Sequence, residues 1–207
     1  SYGMAPCSSS APVPGSSAGS VASYVWAPRI FDMFPEAHVH VQLGDSYAPL
    51  FGETAYQDGI ENWGYLGVYS DRITGLDVGP WRPYVSARNA NATCATYSNA
   101  MFASYVSQGD PVQTAFYAYE GCGAEKCNWK KAMREALGVV HTGTRGMHDN
   151  FASFVGDSRE HEVTINDAMY DVKADGVALS DWIRALLGGP DAWARMRKNV
   201  DCMGHGC

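Results

Sequence analysis

Three apolar segments, separated by helical sequence, constrain the fold of this chain more than any other feature. Residues 37–43, 100–107 and 151–155 read AHVHVQL, AMFASYVS and FASFV. Each segment has the length and the β-branched or aromatic side chains that are typical of strands. Strands that alternate with helices form parallel sheets. The sequence therefore predicts an α/β fold with a mostly parallel sheet and flanking helices.

The helices are predicted from spacing and from end signals. Residues 18–33 contain few β-branched residues and end before the Phe-Pro pair at 34–35, which favours one helix over this range. A further helix in GVALSDWIRALLGG has Ser180 as its predicted N-cap and Gly188 as its stop. In NWKKAMREALGVV the apolar residues recur at helical spacing: Trp129, Met133, Leu137 and Val140.

Composition favours one folded domain over residues 1–207 and argues against two classes of partner. Hydrophobic residues make up 46% of the 207 residues, which leaves room for a sizeable core. The net charge is −7 and no basic block is present, so nucleic acid is not an expected partner. No apolar run approaches the roughly 18–20 residues that span a bilayer. Residues 46–83 are rich in Gly, Tyr, Trp and Asp and are expected to form an irregular, aromatic-rich excursion.

Six cysteines and a low charged fraction favour a secreted or periplasmic protein. Cys122 and Cys127 can close one small loop, and Cys202 and Cys207 another, although spacing does not fix the pairing. A zinc site at Cys202, His205 and Cys207 is the alternative, but its ligands are crowded and a fourth is missing. We therefore expect no metal ion and no organic cofactor.

The segment PVPGSSAGSVASY contains a G-x-S-x-G match with Ser17 at its centre. In α/β-hydrolases this serine lies on a tight turn between a strand and a helix, and here Ala18 begins the predicted helix. The residues before the match fit less well, because SSSAPVP contains two prolines and a central buried strand should not hold proline. The alternative is that Ser17 is an ordinary loop serine.

An acid and a histidine follow later strands in the order that this motif requires. Asp110 comes directly after AMFASYVSQG, and His161 comes after FASFVGDSRE. Such a set can transfer an acyl group: His161 takes the proton of Ser17, and Asp110 fixes the imidazole tautomer. The Ala18 amide is then one donor to the oxyanion.

Other assignments remain open at this point. Asp110 can cap a helix that starts near Pro111, and the two roles are compatible. Asp45 is the rival acid, although it can instead order the loop GDSYAP. His161 can be a solvated loop residue, and His148 is the rival base.

Four residues are candidates for contact with substrate. Asp45 and Ser46 follow the strand at 37–43, and Trp63 and Tyr65 lie in the aromatic excursion. The alternative for the aromatic pair is a small satellite core under a long loop.

Four segments resemble the pectin acetylesterase/Notum family of carboxylesterases: GSSAGSVAS, AHVHVQLGDSYAPLF, MFASYVSQGDPVQ and FASFVGDSREHEV. The similarity extends over about residues 12–202. The resemblance implies an α/β-hydrolase-like fold, with Ser17 as nucleophile, Asp110 as orienting acid and His161 as base. In the family the second glycine of the elbow pair stands where this chain has Ser20. The family also carries early strands and a glycine-rich oxyanion loop before the elbow, where this chain has sixteen residues.

We therefore expect a serine carboxylesterase acting on a polysaccharide, lipid-modified or polyester substrate. We expect its N-terminal strands to belong to a longer chain or to a partner chain, unless a segment near Gly3 substitutes for the oxyanion loop. The alternative is a non-catalytic carbohydrate- or ligand-binding module on an esterase scaffold. A third hypothesis is a structural subunit that completes a sheet with a partner.

Overall fold

The computed structural model, which describes residues 10–122, 127–144, 149–196 and 199–202, has a five-stranded parallel sheet with helices on both faces. The strand order is β1-β2-β3-β4-β7, and every neighbouring pair in it is parallel. The predicted α/β class with a mostly parallel sheet is therefore confirmed. The sheet strands are β1 (Ser10–Ser16), β2 (Val39–Asp45), β3 (Met101–Ser107), β4 (Phe151–Gly156) and β7 (Val200–Asp201). A separate antiparallel ribbon consists of β5 (Lys173–Ala174) and β6 (Val177–Ala178).

Nine α-helices connect or flank these strands within the described residues. Between β1 and β3 they are α1 (Ala18–Met33), α2 (Glu53–Glu61), α3 (Tyr65–Val68) and α4 (Val85–Thr96). The later helices are α5 (Pro111–Tyr119), α6 (Trp129–Thr144), α7 (Ala168–Asp171), α8 (Leu179–Leu187) and α9 (Pro190–Ala194). One 3-10 turn, Val163–Ile165, follows β4.

The central strands are buried on both faces, which explains their continuous apolar sequence. On β3, Phe102 and Val106 pack into the core that also contains α1, α4 and α6. Tyr105 of the same strand joins the opposite core, which Trp182 of α8 helps to fill. All seven residues of β3 are buried. This two-sided burial fixes where each strand ends, and thus where its following loop emerges.

The predicted element bounds hold with two corrections. Helix α1 spans residues 18–33 as expected, and residues 46–83 contain only the two short helices α2 and α3. Strand β2 spans Val39–Asp45, so it begins and ends two residues later than the predicted strand at 37–43. The predicted N-cap Ser180 is wrong, because β6 leads directly into α8 and Ala178 occupies the cap position. Gly188 is the C-cap of α8, as predicted.

Strand β1 is an edge of the described sheet, which explains how it accommodates two prolines. The Ser17 amide donates to the Asp45 carbonyl of β2 at 2.9 Å. Because backbone direction alternates along a strand, the odd-numbered residues of β1 point their amides toward β2. Pro12 and Pro14 therefore lie on the outer side, where no ladder bond to β2 is lost.

One disulfide joins Cys122 and Cys127, as proposed from their spacing. Cys202 is disulfide-bonded as well, while the predicted partner Cys207 lies outside the described residues. Disulfides are compatible with an oxidising, extracellular type of compartment. Across the part of the chain that is described, none of the helices is both long and apolar enough to traverse a bilayer.

Candidate active site

The turn between β1 and α1 holds Ser17 in a strained backbone conformation. Ser17 has φ 51° and ψ −122°, which a non-glycine residue rarely adopts. The turn is also tight, because a Cβ atom on Gly15 would lie 2.1 Å from the Gly19 carbonyl oxygen. The expected strand-to-helix elbow is therefore present in geometry, with Ser17 at its apex.

A methyl group at Gly15 is expected to destabilise the protein, because the atom it meets is backbone and cannot rotate away. We expect Gly15→Ala to lower the free energy of unfolding by about 1–3 kcal/mol, as overpacking usually does. The matched control is Gly19→Ala, since a Cβ atom there meets nothing within 4 Å. In α1 the control should be neutral or stabilising by up to about 1 kcal/mol. Urea unfolding measures both; equal stability of the two variants would contradict the close approach at Gly15.

Ser17, His161 and Asp110 form a continuous hydrogen-bonded array. The His161 Nε2 atom lies 2.8 Å from the Ser17 Oγ atom. On the other side of the ring, Nδ1 lies 2.7 Å from the Asp110 Oδ2 atom. Ser17 follows β1, Asp110 follows β3 and His161 follows β4, so parallel strands bring their carboxyl ends to one edge of the sheet. Ser17 and His161 are 144 positions apart in the sequence but adjacent in space.

The array can move a proton from the serine hydroxyl. A carboxylate only accepts hydrogen bonds, so Asp110 requires the proton of the ring on Nδ1. Nε2 is then the lone-pair nitrogen, and it can accept the Ser17 proton as the oxygen attacks an electrophile. Asp110 is fully buried, which keeps water from competing for its oxygens.

Asp110 also caps helix α5, as the sequence suggested. Its Oδ1 atom accepts the amides of Val112 at 2.8 Å and Gln113 at 3.0 Å. The other carboxylate oxygen is the one that contacts His161. The two roles coexist because each uses a different oxygen.

Strained residues cluster around the array. Besides Ser17, the non-glycine residues Ser46 (φ 60°) and Glu162 (φ 62°) have left-handed backbones. The Ser16 hydroxyl donates to the Glu162 carboxylate at 2.7 Å, and the Glu162 amide donates to the Ser46 hydroxyl at 2.7 Å. Strain of this kind costs about 1–3 kcal/mol per residue and concentrates at functional sites. The loops that carry Ser17 and His161 are thus tied together directly.

Asp45 is buried beneath the site and connects both of its halves. Its Oδ2 atom accepts the amide and the hydroxyl of Thr164, at 2.7 and 2.6 Å. Its backbone oxygen accepts the Ser17 amide. The structure therefore places Asp45 neither against His161, where a rival acid would be, nor in contact with the cavity, where substrate contact was expected. Both expectations are corrected, because the carboxylate is consumed in holding the loop that follows His161.

Ser20 holds the turn against β2. Its hydroxyl is fully buried and lies 2.8 Å from the Gly15 oxygen and 2.5 Å from the Asp45 oxygen. Sequence reasoning treated Ser20 only as a departure from a motif. Its contacts show that the departure is compatible with the elbow geometry.

A cavity of about 390 Å³ opens beside the Ser17 hydroxyl. Three of the four candidates for substrate contact, Ser46, Trp63 and Tyr65, line it with Ser17 and His161. Its remaining walls are mainly aliphatic and aromatic. They include Ala18, Val21, Ala22, Val25, Trp26, Tyr47, Ala48, Leu50, Phe51, Ala55, Val68, Val112, Phe116, Tyr117 and Trp129.

Burial raises the pKa of three ionisable side chains in the cavity wall: Tyr47, Tyr65 and Glu120. Burial raises the pKa of Tyr65 to about 12, and its hydroxyl bonds to Tyr69 at 2.7 Å. Burial likewise raises the pKa of Tyr47 well above its usual value. Burial raises the pKa of Glu120, against the opposing effect of the Gly52 amide that donates to it. Most of the wall is apolar, so the cavity suits an uncharged, apolar group.

The Ala18 amide is available to an oxyanion by its place in the helix. Ala18 is the first residue of α1, and the first amides of a helix have no acceptor within it. The helix dipole adds a positive potential at the same end. Gly3, which was considered as the source of a second donor, lies outside the described residues.

The remaining candidate residues are the rival base and the zinc ligands, and β2 carries a further histidine. The rival base His148 and the proposed zinc ligands His205 and Cys207 lie outside the described residues. Within the described ranges, no group of three or more His, Cys, Asp or Glu residues is arranged to hold a metal ion. His40 bonds to the Phe34 oxygen at the far end of β2, away from Ser17.

Sequence reasoning missed the part of the wall that α5 supplies. Val112, Gln113 and Phe116 of this helix line the cavity. A signal was available, because Val112 and Phe116 are four residues apart and so lie on one helix face. The helix also directly follows the predicted acid, which places it beside the reacting groups.

Comparison with protein-family models and with curated proteins gave no match to this chain.

Proposed function

We propose that this protein is a serine carboxylesterase that hydrolyses esters with an apolar acyl group. The observation that carries the proposal is the Ser17–His161–Asp110 array, with contacts of 2.8 and 2.7 Å on a strained elbow. An ordinary loop serine has no reason to be held in a left-handed conformation against a histidine whose other nitrogen contacts a buried acid. The apolar cavity beside the hydroxyl supports the nature of the acyl group.

The reaction proceeds in two balanced acyl transfers. The Ser17 oxygen attacks the ester carbonyl while its proton passes to His161 Nε2, and the Ala18 amide stabilises the resulting oxyanion. The tetrahedral intermediate collapses, the proton moves from His161 to the leaving alcohol, and an acyl-Ser17 ester remains. Water then attacks this ester with His161 as base, which releases the carboxylic acid and restores the serine. Asp110 stays ionised throughout and stabilises the imidazolium.

Chain order supports the finer assignment to an α/β-hydrolase-like fold, while the four segments quoted above carry the resemblance to the pectin acetylesterase/Notum family. The nucleophile, acid and base follow β1, β3 and β4 in the sequence Ser, Asp, His, as the α/β-hydrolase order requires. The disulfides are compatible with the proposal that the enzyme is secreted or periplasmic.

The cavity favours a larger acyl group than acetyl. Its volume of about 390 Å³ is in the range of roughly 300–1,000 Å³ that small-molecule sites occupy. An acetyl group would leave most of this apolar surface uncovered. Each methylene buried there contributes about 0.8 kcal/mol at most, or nearly a fourfold gain in affinity. A lipid-like or polyester acyl chain therefore fits better than the acetyl group of a polysaccharide.

The test is a series of p-nitrophenyl esters from acetate to octanoate. We expect kcat/KM to rise with chain length and to be at least tenfold higher for octanoate than for acetate. A second test uses the variant Ala22→Leu. Ala22 is an exposed residue of the cavity wall, and a leucine there would narrow the cavity. It should lower the rate for octanoate more than the rate for acetate.

Two results would contradict the proposal in different ways. A preference for acetate would overturn the assigned substrate class but not the chemistry. Binding of octanoate without hydrolysis of any ester in the series would favour the non-catalytic binding module instead.

A further inference from the structure

We infer that the mouth of the cavity is a docking surface for an uncharged lipid–water interface. The surface, which we call the apolar rim, consists of Trp26, Trp63, Val112, Phe116 and Tyr119. The inference deepens the proposed esterase function and rests on it, because it concerns how an insoluble ester would reach Ser17.

Helix α5 is the first part of the argument. Its sequence PVQTAFYAY contains no charged residue, and none of its nine residues is buried. Phe116 is 58% exposed and Tyr119 is 83% exposed. Residues 112, 116 and 119 are spaced by four and three, so they share one face of the helix. A surface helix normally presents charged residues to water, and this one presents apolar and aromatic side chains.

The rim also includes residues of α1 and of the segment that follows α2. Trp26 projects from α1 and is 49% exposed, and Trp63 follows α2 and is 68% exposed. Trp26, Trp63, Val112 and Phe116 all line the same cavity as Ser17 and His161. Exposed apolar groups around a binding cavity mark an interaction site rather than scattered surface residues. Indole and phenol side chains are also those that settle at an apolar–water boundary.

The charges around the rim favour an uncharged phase over an anionic membrane as its partner. The segments that form the rim, 18–26, 53–68 and 111–120, contain no Lys or Arg. Glu61 precedes Trp63, Glu120 follows Tyr119, and the chain has a net charge of −7. Anionic headgroups would be repelled. A soluble protein seated on the rim would close the cavity, whereas an ester phase brings substrate to it.

The experiment measures binding without turnover, in the Ser17→Ala variant. Flotation with triolein droplets gives the bound fraction, and we expect clear partitioning to the droplets. Adding Phe116→Ser and Tyr119→Ser should lower the partition coefficient at least tenfold. The matched control adds Ile165→Ser and Tyr170→Ser, which are 69% and 57% exposed but do not line the cavity. It should leave partitioning within about twofold, and urea unfolding should show that both variants are folded.

Several outcomes would overturn the inference. They are no flotation of Ser17→Ala, an equal loss in the rim and control variants, or equally tight binding to vesicles of phosphatidylglycerol. A doubled mass in solution that the rim substitutions abolish would assign the surface to a second copy of the chain. Because the Ser17→Ala protein is inactive by design, docking is read independently of catalysis. Failure of the ester series leaves this binding result intact, and the reverse also holds.

Discussion

Replacing Ser17 with alanine is expected to lower kcat/KM for p-nitrophenyl octanoate by about 10⁴–10⁶-fold, the range found when a nucleophile is deleted from such an array. The reason is that no other hydroxyl lies 2.8 Å from His161 Nε2 among the described contacts. A fluorophosphonate probe should label the unmodified protein once and should fail to label the variant. Kinetics and intact mass measure the two effects. Stability should change little, because the Ser17 side chain serves only the array.

The neighbouring serine is the matched control. Ser16 is adjacent in sequence, and its hydroxyl donates to Glu162 rather than to His161. Ser16→Ala should therefore remain labelled and should lose less than about tenfold in rate, through weaker positioning of the His161 loop. Retained labelling of Ser17→Ala, or labelling at another serine, would remove Ser17 from the mechanism.

Asp110→Asn is expected to lower kcat by about 10⁴-fold while leaving the fold nearly intact. The amide group of asparagine donates where the carboxylate accepted, so it favours the ring tautomer with the proton on Nε2. His161 then cannot accept the Ser17 proton. Asparagine is also a good N-cap, so its oxygen still satisfies the Val112 and Gln113 amides. The free energy of unfolding should fall by no more than about 1 kcal/mol.

A second variant separates the two roles of this residue. Asp110→Ala removes both the orienting acid and the helix cap. Its loss of kcat should equal that of Asp110→Asn, and its free energy of unfolding should be lower than that of Asp110→Asn by about a further 1 kcal/mol. Ester kinetics and urea unfolding of the two variants give the comparison. If Asp110→Asn keeps kcat within tenfold, Asp110 is only a cap and the array lacks its acid.

The positions of Ser17, Asp110 and His161 could be predicted because they follow from strand ends. Apolar runs locate strands well, and polar residues directly after parallel strands gather at one sheet edge. Asp110 and His161 follow their strands in this way. The elbow at Ser17 also had a local signal, since two glycines and a helical sequence surround it. Its proline-containing strand suited an edge position rather than a central one.

The remaining features depend on contacts that sequence patterns do not record. Helix α4 reads VSARNANATCAT, a weak helical sequence, and it is held by packing against α6, where the Asn91 side chain fills the space beside Gly143. Strand β7 has two residues and exists through its pairing with Phe154 and Val155. The hydrogen bonds between Asp45 and Thr164 join residues 119 positions apart, so no local sequence pattern predicts them.

The two prolines of β1 have a consequence for behaviour at high concentration. Along the border of β1 that pairs with no described strand, residues 12 and 14 offer carbonyl oxygens but no amide hydrogens. A strand from another molecule laid along that border would find only part of the usual ladder. Edge-to-edge stacking into fibres is thereby disfavoured. The residues that made the first strand hardest to recognise are therefore expected to limit such pairing along this border.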